Sequence, residues 1–260
     1  MCGRFNITSD PLAKFLMEWL GVAYTGQDNF NLAPTETVQV LRMNAQGQPE
    51  LKPMRWWLTP FWAKEVSTKY SMFNAKSETA AKSPAFKAPY AKRRCVVPIS
   101  GFYEWCRQNN QNLPNFIKPD DDLGLLLAGL WDSWRNPETD EELLSFTILT
   151  TAANTELAFV HDRQPVILDH AEAKQWLDMD TPTSELEYLL RSRLPVPLEV
   201  VPVSTHVNNA RHKDARCAQP IGASIPAVSY THLRAHETIH AISYAVFCLK
   251  SGGGGGGGGG

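Results

Sequence analysis

Short apolar runs, each stopped within a few residues by Pro, Gly or Asn, dominate this chain and limit what it can fold into. They include Val38 to Met43, Met54 to Leu58, Cys95 to Ile99, Phe102 to Cys106, Phe116 to Lys118, Leu125 to Trp131, Phe146 to Thr151, Val166 to Leu168 and Leu198 to Val203. Most are rich in β-branched and aromatic residues and all are too short for ordinary helices, so they read as strands. Their order is not the steady strand–helix alternation that builds a parallel doubly wound sheet. The expected class is α+β: a single domain with a mixed or antiparallel, barrel-like sheet and peripheral helices.

The clearest helix lies near the start, where Leu12, Phe15, Leu16, Trp19 and Leu20 recur at the spacing of one buried helical face. Asp10 is expected to cap it, Pro11 to take its first position and Gly21 to close it. Further helices are expected after Asn154, Asp169 and Thr183, all residue types that cap well.

The domain is expected to span residues 1–227, with 228–260 outside it. Val228 to Thr238 reads VSYTHLRAHET, which back-translates into a sequencing adapter. Ile242 to Leu249 matches the adapter's far end, and a run of glycines finishes the chain. This tail is read as non-native and disordered, and a metal site built from His232, His236 and His240 would be accidental. The formal net charge of −2 gives no global argument for nucleic acid, so a DNA-binding surface has to be a local patch. No apolar run reaches membrane-spanning length and no basic-then-apolar leader opens the chain; a cytoplasmic protein without membrane association is expected. Cys2, Cys95, Cys106 and Cys217 lack the close pairing of a disulfide framework or a structural zinc site, and no metal or cofactor is expected. Cys95, Cys106 and Cys217 are expected to pack as small apolar side chains.

Chemistry starts at Met1-Cys2-Gly3-Arg4. A small second residue permits loss of Met1, leaving Cys2 with a free α-amine and a thiol, whose ordinary pKa values of about 7.7–8.0 and about 8.5 make both nucleophilic forms accessible near neutrality. An aldehyde condenses with the amine to an imine, and the thiol then closes a five-membered thiazolidine ring. A Cys at position 2 by itself carries little information. Its companions carry more: Asn74-Ala75-Lys76-Ser77-Glu78-Thr79, Gly101-Phe102-Tyr103-Glu104-Trp105 and His161-Asp162-Arg163-Gln164-Pro165.

With Cys2-Gly3-Arg4-Phe5, Asn31-Leu32-Ala33-Pro34, Trp56 with Pro60 and Trp62, Arg93-Arg94-Cys95 and Ser145 to Thr151, these motifs resemble the SOS-response-associated peptidase (SRAP) family from Cys2 to about Ile221. The resemblance implies a processed N-terminal Cys that crosslinks to the aldehyde of an abasic site in single-stranded DNA, shielding the lesion in the DNA damage response. It implies a barrel-like α/β fold with a basic groove, self-removal of Met1 without general proteolysis, and Cys2, Asn74, Glu104 and His161 as the catalytic set. By their chemistry, Asn74 suits holding the Cys2 amine or backbone. Glu104, desolvated beside Phe102, Tyr103 and Trp105, suits proton transfer, and His161 suits protonating a sugar oxygen. Taken singly, each also has a plainer reading, as turn former, solvated strand residue and helix-end cap. An N-terminal-nucleophile thiol hydrolase or peptidase is the alternative function, and a non-covalent strand-binding module a third.

Arg4, Lys76 and Arg163 flank the catalytic motifs and suit phosphates. Trp105, Trp62 and Pro34 suit stacking on or wedging between bases, and Asn31 completes the expected DNA-binding set. Trp56 and Trp131 are expected in the core, and Lys92-Arg93-Arg94 reads equally as a phosphate patch or a solvated start to a strand. Two residues depart from the family pattern: Lys76 stands where Arg is usual, losing a bidentate fork, and Trp57 stands where a small residue is usual. A monomer acting on abasic single strands is expected, with proteins of the replication fork as possible further partners.

Overall fold

The computed structural model describes residues 2–108 and 110–227; Met1 and the tail reading at 228–260 lie outside the described residues. Fourteen strands are described: β1 Phe5–Ile7, β2 Asn29–Leu32, β3 Thr37–Met43, β4 Pro49–Trp56, β5 Asn74–Lys76, β6 Arg94–Ile99, β7 Gly101–Gln108, β8 Gln111–Pro119, β9 Leu125–Arg135, β10 Glu142–Ala152, β11 Arg163–Pro165, β12 Ile167–Leu168, β13 Leu198–Pro202 and β14 Ile225–Ala227. The α-helices are α1 Ser9–Leu20, α2 Ser77–Ala80, α3 Lys87–Lys92 and α4 His170–Leu177, with 3₁₀ turns at Thr183–Leu190, Thr205–Asn208 and Ala215–Ala218.

Two sheets carry the molecule. One runs β14-β13-β8-β7-β1-β2, and the other β11-β10-β4-β3-β6-β9-β12, with β5 added beside β10. In the second, β9 also pairs with β10, from Glu142 opposite Arg135 to Ile148 opposite Gly129, so β10, β4, β3, β6 and β9 close into a five-stranded barrel. Closure leaves those five strands without free edges. The period-2 alternation of the strands then sorts their apolar side chains. Val40, Met54, Trp56, Cys95, Val97, Leu127, Phe146 and Ile148 share one cluster with Phe5, Ile7, Ile117 and Val200 of the six-stranded sheet. The ring centroids of Phe5 and Trp56 lie 4.4 Å apart across that boundary. The opposite barrel face, with Leu41, Val96, Leu126 and Leu130, is covered by Phe15 and Leu16 of α1 and by Trp176 and Leu177 of α4. The α+β, barrel-like expectation therefore holds.

Details differ from the sequence reading, each for a local reason. α1 begins at Ser9, so Thr8 rather than Asp10 holds the cap position, without a side-chain cap bond. Asp28, distant in sequence, supplies the missing acceptor to the Ser9 amide at 2.7 Å. Gly21 closes α1 in the left-handed conformation, φ 67°, as expected. Asp169 caps α4 in a reciprocal capping box with Glu172. After Thr183 the helix is 3₁₀, and after Asn154 there are turns only. Arg94 is neither a phosphate ligand nor solvated: it is buried and donates to the carbonyls of Trp176, Tyr90, Asp178 and Thr181, tying β6 to the end of α4. Trp56 is in the core, whereas Trp131 is partly buried against it, under the Arg42 guanidinium 4.4 Å from its ring. Cys95, Cys106 and Cys217 are buried and in no disulfide, and the Cys217 Sγ donates to the His212 carbonyl at 3.5 Å.

Candidate active site

The site forms where the start of the chain meets both sheets. β5 lies parallel to β10, with Asn74 opposite Ile148. From there the Asn74 Nδ2 donates 2.7 Å to the Cys2 carbonyl, in a buried hydrogen bond that joins segments 72 residues apart. Cys2 is completely buried, its Sγ 4.0 Å from the Arg4 carbonyl. Burial first, and then the nearby Glu104 charge, push the thiol well above its ordinary pKa. The sulfur is thus held as a protonated thiol, which needs a base before it can add to anything.

Glu104 reaches Cys2 through strand pairing. β1 and β7 are antiparallel, with Phe5 opposite Phe102, and the Tyr103 amide donates 2.9 Å to the Arg4 carbonyl. Continued by two residues, that register sets Glu104 opposite Gly3. Gly101 starts β7 for a steric reason: a Cβ there would meet the Phe116 ring at 2.6 Å and the Ile117 carbonyl at 2.7 Å. Alternation puts Glu104 on the Phe102 face, toward the barrel, and Tyr103 and Trp105 on the other. The sequence reading set Glu104 beside all three aromatics; only Phe102 shares its face. Glu104 is 3% exposed, and burial lifts its pKa to about 7, against the pull of the positive amino terminus and with a smaller push from Asp162.

His161 follows the turns after Asn154, on the loop leading into β11. The Arg163 amide donates to its Nδ1 at 2.9 Å, while the Asp162 carboxylate lies 2.8 Å from the same nitrogen. The amide contact suits the neutral ring and the carboxylate the charged one. Burial and the amino-terminal charge outweigh Asp162, and the pKa is held below its ordinary value. A neutral ring that accepts at Nδ1 carries its proton on Nε2. Asp162 acts on both Glu104 and His161, Glu104 acts on the Cys2 thiol, and Asn74 holds the Cys2 carbonyl, so electrostatics and hydrogen bonds link the four expected catalytic residues.

The expected DNA-binding residues divide between two faces. Arg4 donates through Nη1 to Asn31 Oδ1 at 2.7 Å and the Val207 carbonyl at 2.9 Å, with its guanidinium 5.7 Å from the Trp105 ring. Trp105 is partly exposed, and its indole N–H donates 2.7 Å to Asn208 Oδ1. Asn31 has no exposed surface: its amide donates to the carbonyls of Val207, Asn209 and His212, so it acts from behind the surface, positioning Arg4 and the 205–212 loop. Pro34 crests a turn from Ala33 to Glu36 in which Thr35 has φ 80°, a strained value for a β-branched residue. Trp62 is 55% exposed, on a loop with exposed Phe61, Val66 and Tyr70 that leads into β5. On the barrel rim, Lys76 is exposed, while Arg163 is paired in bidentate fashion with Glu78 at 2.5 and 3.0 Å. Glu78, Asp162 and Asn208 are functional neighbours to which the sequence reading gave no role. Glu78 and Asp162 stand inside the quoted motifs; Asn208 had no local signal.

The SOS response associated peptidase (SRAP) family model matches residues 1–210. The abasic site processing protein YoaM of Bacillus subtilis (strain 168) is 33% identical over 220 residues, covering 83% of this chain and 96% of its own length. The abasic site processing protein HMCES of Gallus gallus is 35% identical over 200 residues, covering 68% of this chain and 59% of its own. Among solved structures, a Bacteroides thetaiotaomicron protein superposes with TM-score 0.73 at 21% identity, covering 85% of this chain and 100% of that one, which speaks for the fold alone. A phage-related protein of Bordetella bronchiseptica reaches TM-score 0.62 at 27% identity, covering 78% and 94%. With motifs, barrel and site agreeing with a match over most of its length, this chain belongs to the SRAP family.

Proposed function

We propose that this protein captures abasic sites in single-stranded DNA as a covalent thiazolidine through Cys2, after removal of Met1. The observation that carries the reading is the buried Glu104 carboxyl, poised at a pKa of about 7, beside the Cys2 backbone that Asn74 holds. The names of the related proteins support abasic DNA as the target. Hydrolysis of the Met1–Cys2 peptide bond takes up one water and leaves a free α-amine on Cys2. The amine lone pair attacks the aldehyde carbon of the ring-opened sugar, giving a carbinolamine that loses water to an iminium. The thiol gives up its proton as sulfur bonds to that same carbon, closing a ring of N, Cα, Cβ, S and the former aldehyde carbon. Capture thus releases one water and needs no cofactor.

Each proton has a carrier of matching pKa. Near neutrality Glu104 exists in both forms, so it accepts a proton from the amine or thiol and returns one to the departing hydroxyl. The neutral His161 ring offers its Nε2–H to the sugar oxygen as the ring opens. Asn74 holds the Cys2 backbone without adding charge that would disturb Glu104.

The test is a denaturing gel of protein with a free N-terminus, mixed with an oligonucleotide carrying one abasic site, beside an intact oligonucleotide and a Cys2→Ala variant. The expected result is a shifted band that survives denaturant, needs the abasic site and is absent in Cys2→Ala. No such band, with mass spectrometry recording Met1 removed, turns the reading toward an N-terminal-nucleophile hydrolase.

A further inference from the structure

The Arg163 guanidinium has almost nothing left to offer a ligand. Nη1 donates to Glu78 Oε1 at 2.5 Å and Nη2 to Oε2 at 3.0 Å, the two-pronged geometry that a phosphate would otherwise use. The second Nη2 proton goes to the Thr150 carbonyl at 2.6 Å, and Nε is buried away from solvent. One Nη1 proton remains. The carboxylate also stands in front of the arginine: the Glu78 side chain is 49% exposed and that of Arg163 only 15%. A strand approaching the rim meets Glu78 first. Beside it Lys76 is exposed and charged, so Glu78 reduces a local charge of two cations to a net of one.

We propose that Glu78 is a specificity-determining residue, a resident carboxylate occupying the Arg163 fork that a DNA phosphate would take, so that intact single strands bind weakly until it is displaced. The proposal rests on the DNA-capture reading above and deepens it. Displacement is mechanically easy. Glu78 lies on α2, a single turn from Ser77 to Ala80 with no side-chain cap, and it is half exposed. Arg163 does not depend on Glu78 for its place, because the Thr150 carbonyl and hydroxyl hold it from β10, where Ala152 pairs with Arg163. An intact strand gains only reversible contacts, so its affinity falls by whatever displacing Glu78 costs. An abasic strand is retained by a covalent bond after the same displacement, so its final yield is insensitive to that cost. Glu78 therefore widens the gap between damaged and intact strands while leaving the chemistry alone.

The experiment is fluorescence anisotropy of the full chain with an intact single-stranded oligonucleotide at 50 to 200 mM salt, for wild type, Glu78→Gln and Glu78→Asp, with abasic capture yield measured alongside. Glu78→Gln is expected to bind the intact strand about three- to tenfold tighter at the low-salt end, with a log–log salt slope steeper by roughly 0.7, one additional phosphate contact. Glu78→Asp, which keeps the charge, should follow wild type, and the capture yield should not change in either variant. Equal or weaker binding by Glu78→Gln, with wild type binding normally, would overturn the proposal and make Glu78 a support for Arg163. Wild type that neither binds intact strands nor captures abasic ones would bring down the DNA reading itself, and this proposal with it.

Discussion

Two carboxyls, Glu104 beside Cys2 and Glu78 on the barrel rim, have opposite fates. Glu78 is paired with Arg163, and that pairing holds its pKa below the usual carboxylate range. Glu104 has an arginine two residues from Cys2, yet Arg4 does not reach it. Phe5 and Phe102 are paired and face the barrel, so Arg4 and Glu104 alternate to opposite sides of their sheet. Arg4 settles on neutral oxygens, those of Asn31 and Val207, and Glu104 stays buried without it, its pKa raised to about 7. Burial away from arginine raises one pKa and makes a proton carrier, whereas an arginine partner lowers the other and makes a fixed charge. The two-residue period of a strand decides which.

The largest effect should come from removing the proton carrier. Glu104→Gln keeps shape and hydrogen bonding but cannot exchange protons, so the crosslinking rate should fall by about 10² to 10⁴-fold. In wild type the rate should rise as the pH passes through about 7, where Glu104 ionises, and in the variant this rise should be gone. Rapid-quench crosslinking across pH 5 to 9 tests both. A Glu104→Gln protein that crosslinks at the wild-type rate with an unchanged profile would mean that the separated carboxyl has no part in proton transfer.

The same comparison sets two opposite dependences of stability on pH. Glu104 has a folded-state pKa above its ordinary value, so the native state holds the proton more tightly than the unfolded chain. Its contribution is complete below about 4.5 and is lost as the pH rises through about 7, by at most roughly 3 kcal/mol. Glu78, with its pKa lowered, contributes above its ordinary value and loses that as the pH falls; being half exposed, it should be worth only a few tenths of a kcal/mol. The urea midpoint of Glu104→Gln should therefore stay near wild type at pH 5 and lie above it at pH 8, and that of Glu78→Gln should hardly move at either pH. Equal shifts for both variants would erase the distinction between them.

How far this was legible in the sequence follows from the range of the signals. The barrel strands carried their own apolar runs, and β3, β6, β9 and β10 lie where those runs do, because their faces are buried by many neighbours. The short β1, β2, β5 and β14 left no such trace: three or four residues cannot display alternation, and β1, β5 and β14 exist because the longer β7, β10 and β13 supply their hydrogen bonds, with β2 added at the edge beside β1. The start of β4 at Pro49 was hidden by two prolines. At the site, the four motifs named Cys2, Asn74, Glu104 and His161, but not their arrangement. Which aromatics desolvate Glu104 depends on strand facing, and what Arg163 binds depends on a helical turn 85 residues away. Arg94 made the same point in the core, since a charged triplet gives no hint that its last member will find four carbonyls.

The remaining prediction attacks the separation itself. Asn31 anchors Arg4 on the side of the sheet where alternation puts it: its Oδ1 accepts from Arg4 while its amide holds the carbonyls of Val207, Asn209 and His212. Asn31→Ala strands those buried acceptors and one guanidinium N–H, which should cost about 2 kcal/mol in a urea titration. The 205–209 loop should loosen with it, and with the loop goes the Asn208 oxygen that fixes the Trp105 indole. Arg4 and Trp105 lie on the far face from Glu104, so the damage should fall on binding and spare chemistry. The half-saturating concentration of abasic oligonucleotide should rise, and the crosslinking rate at saturation should stay near wild type, with the same rise through about pH 7. If the saturated rate falls as much as the affinity, or the pH profile shifts toward acid, Arg4 has reached Glu104, and the sheet was not what kept the two apart.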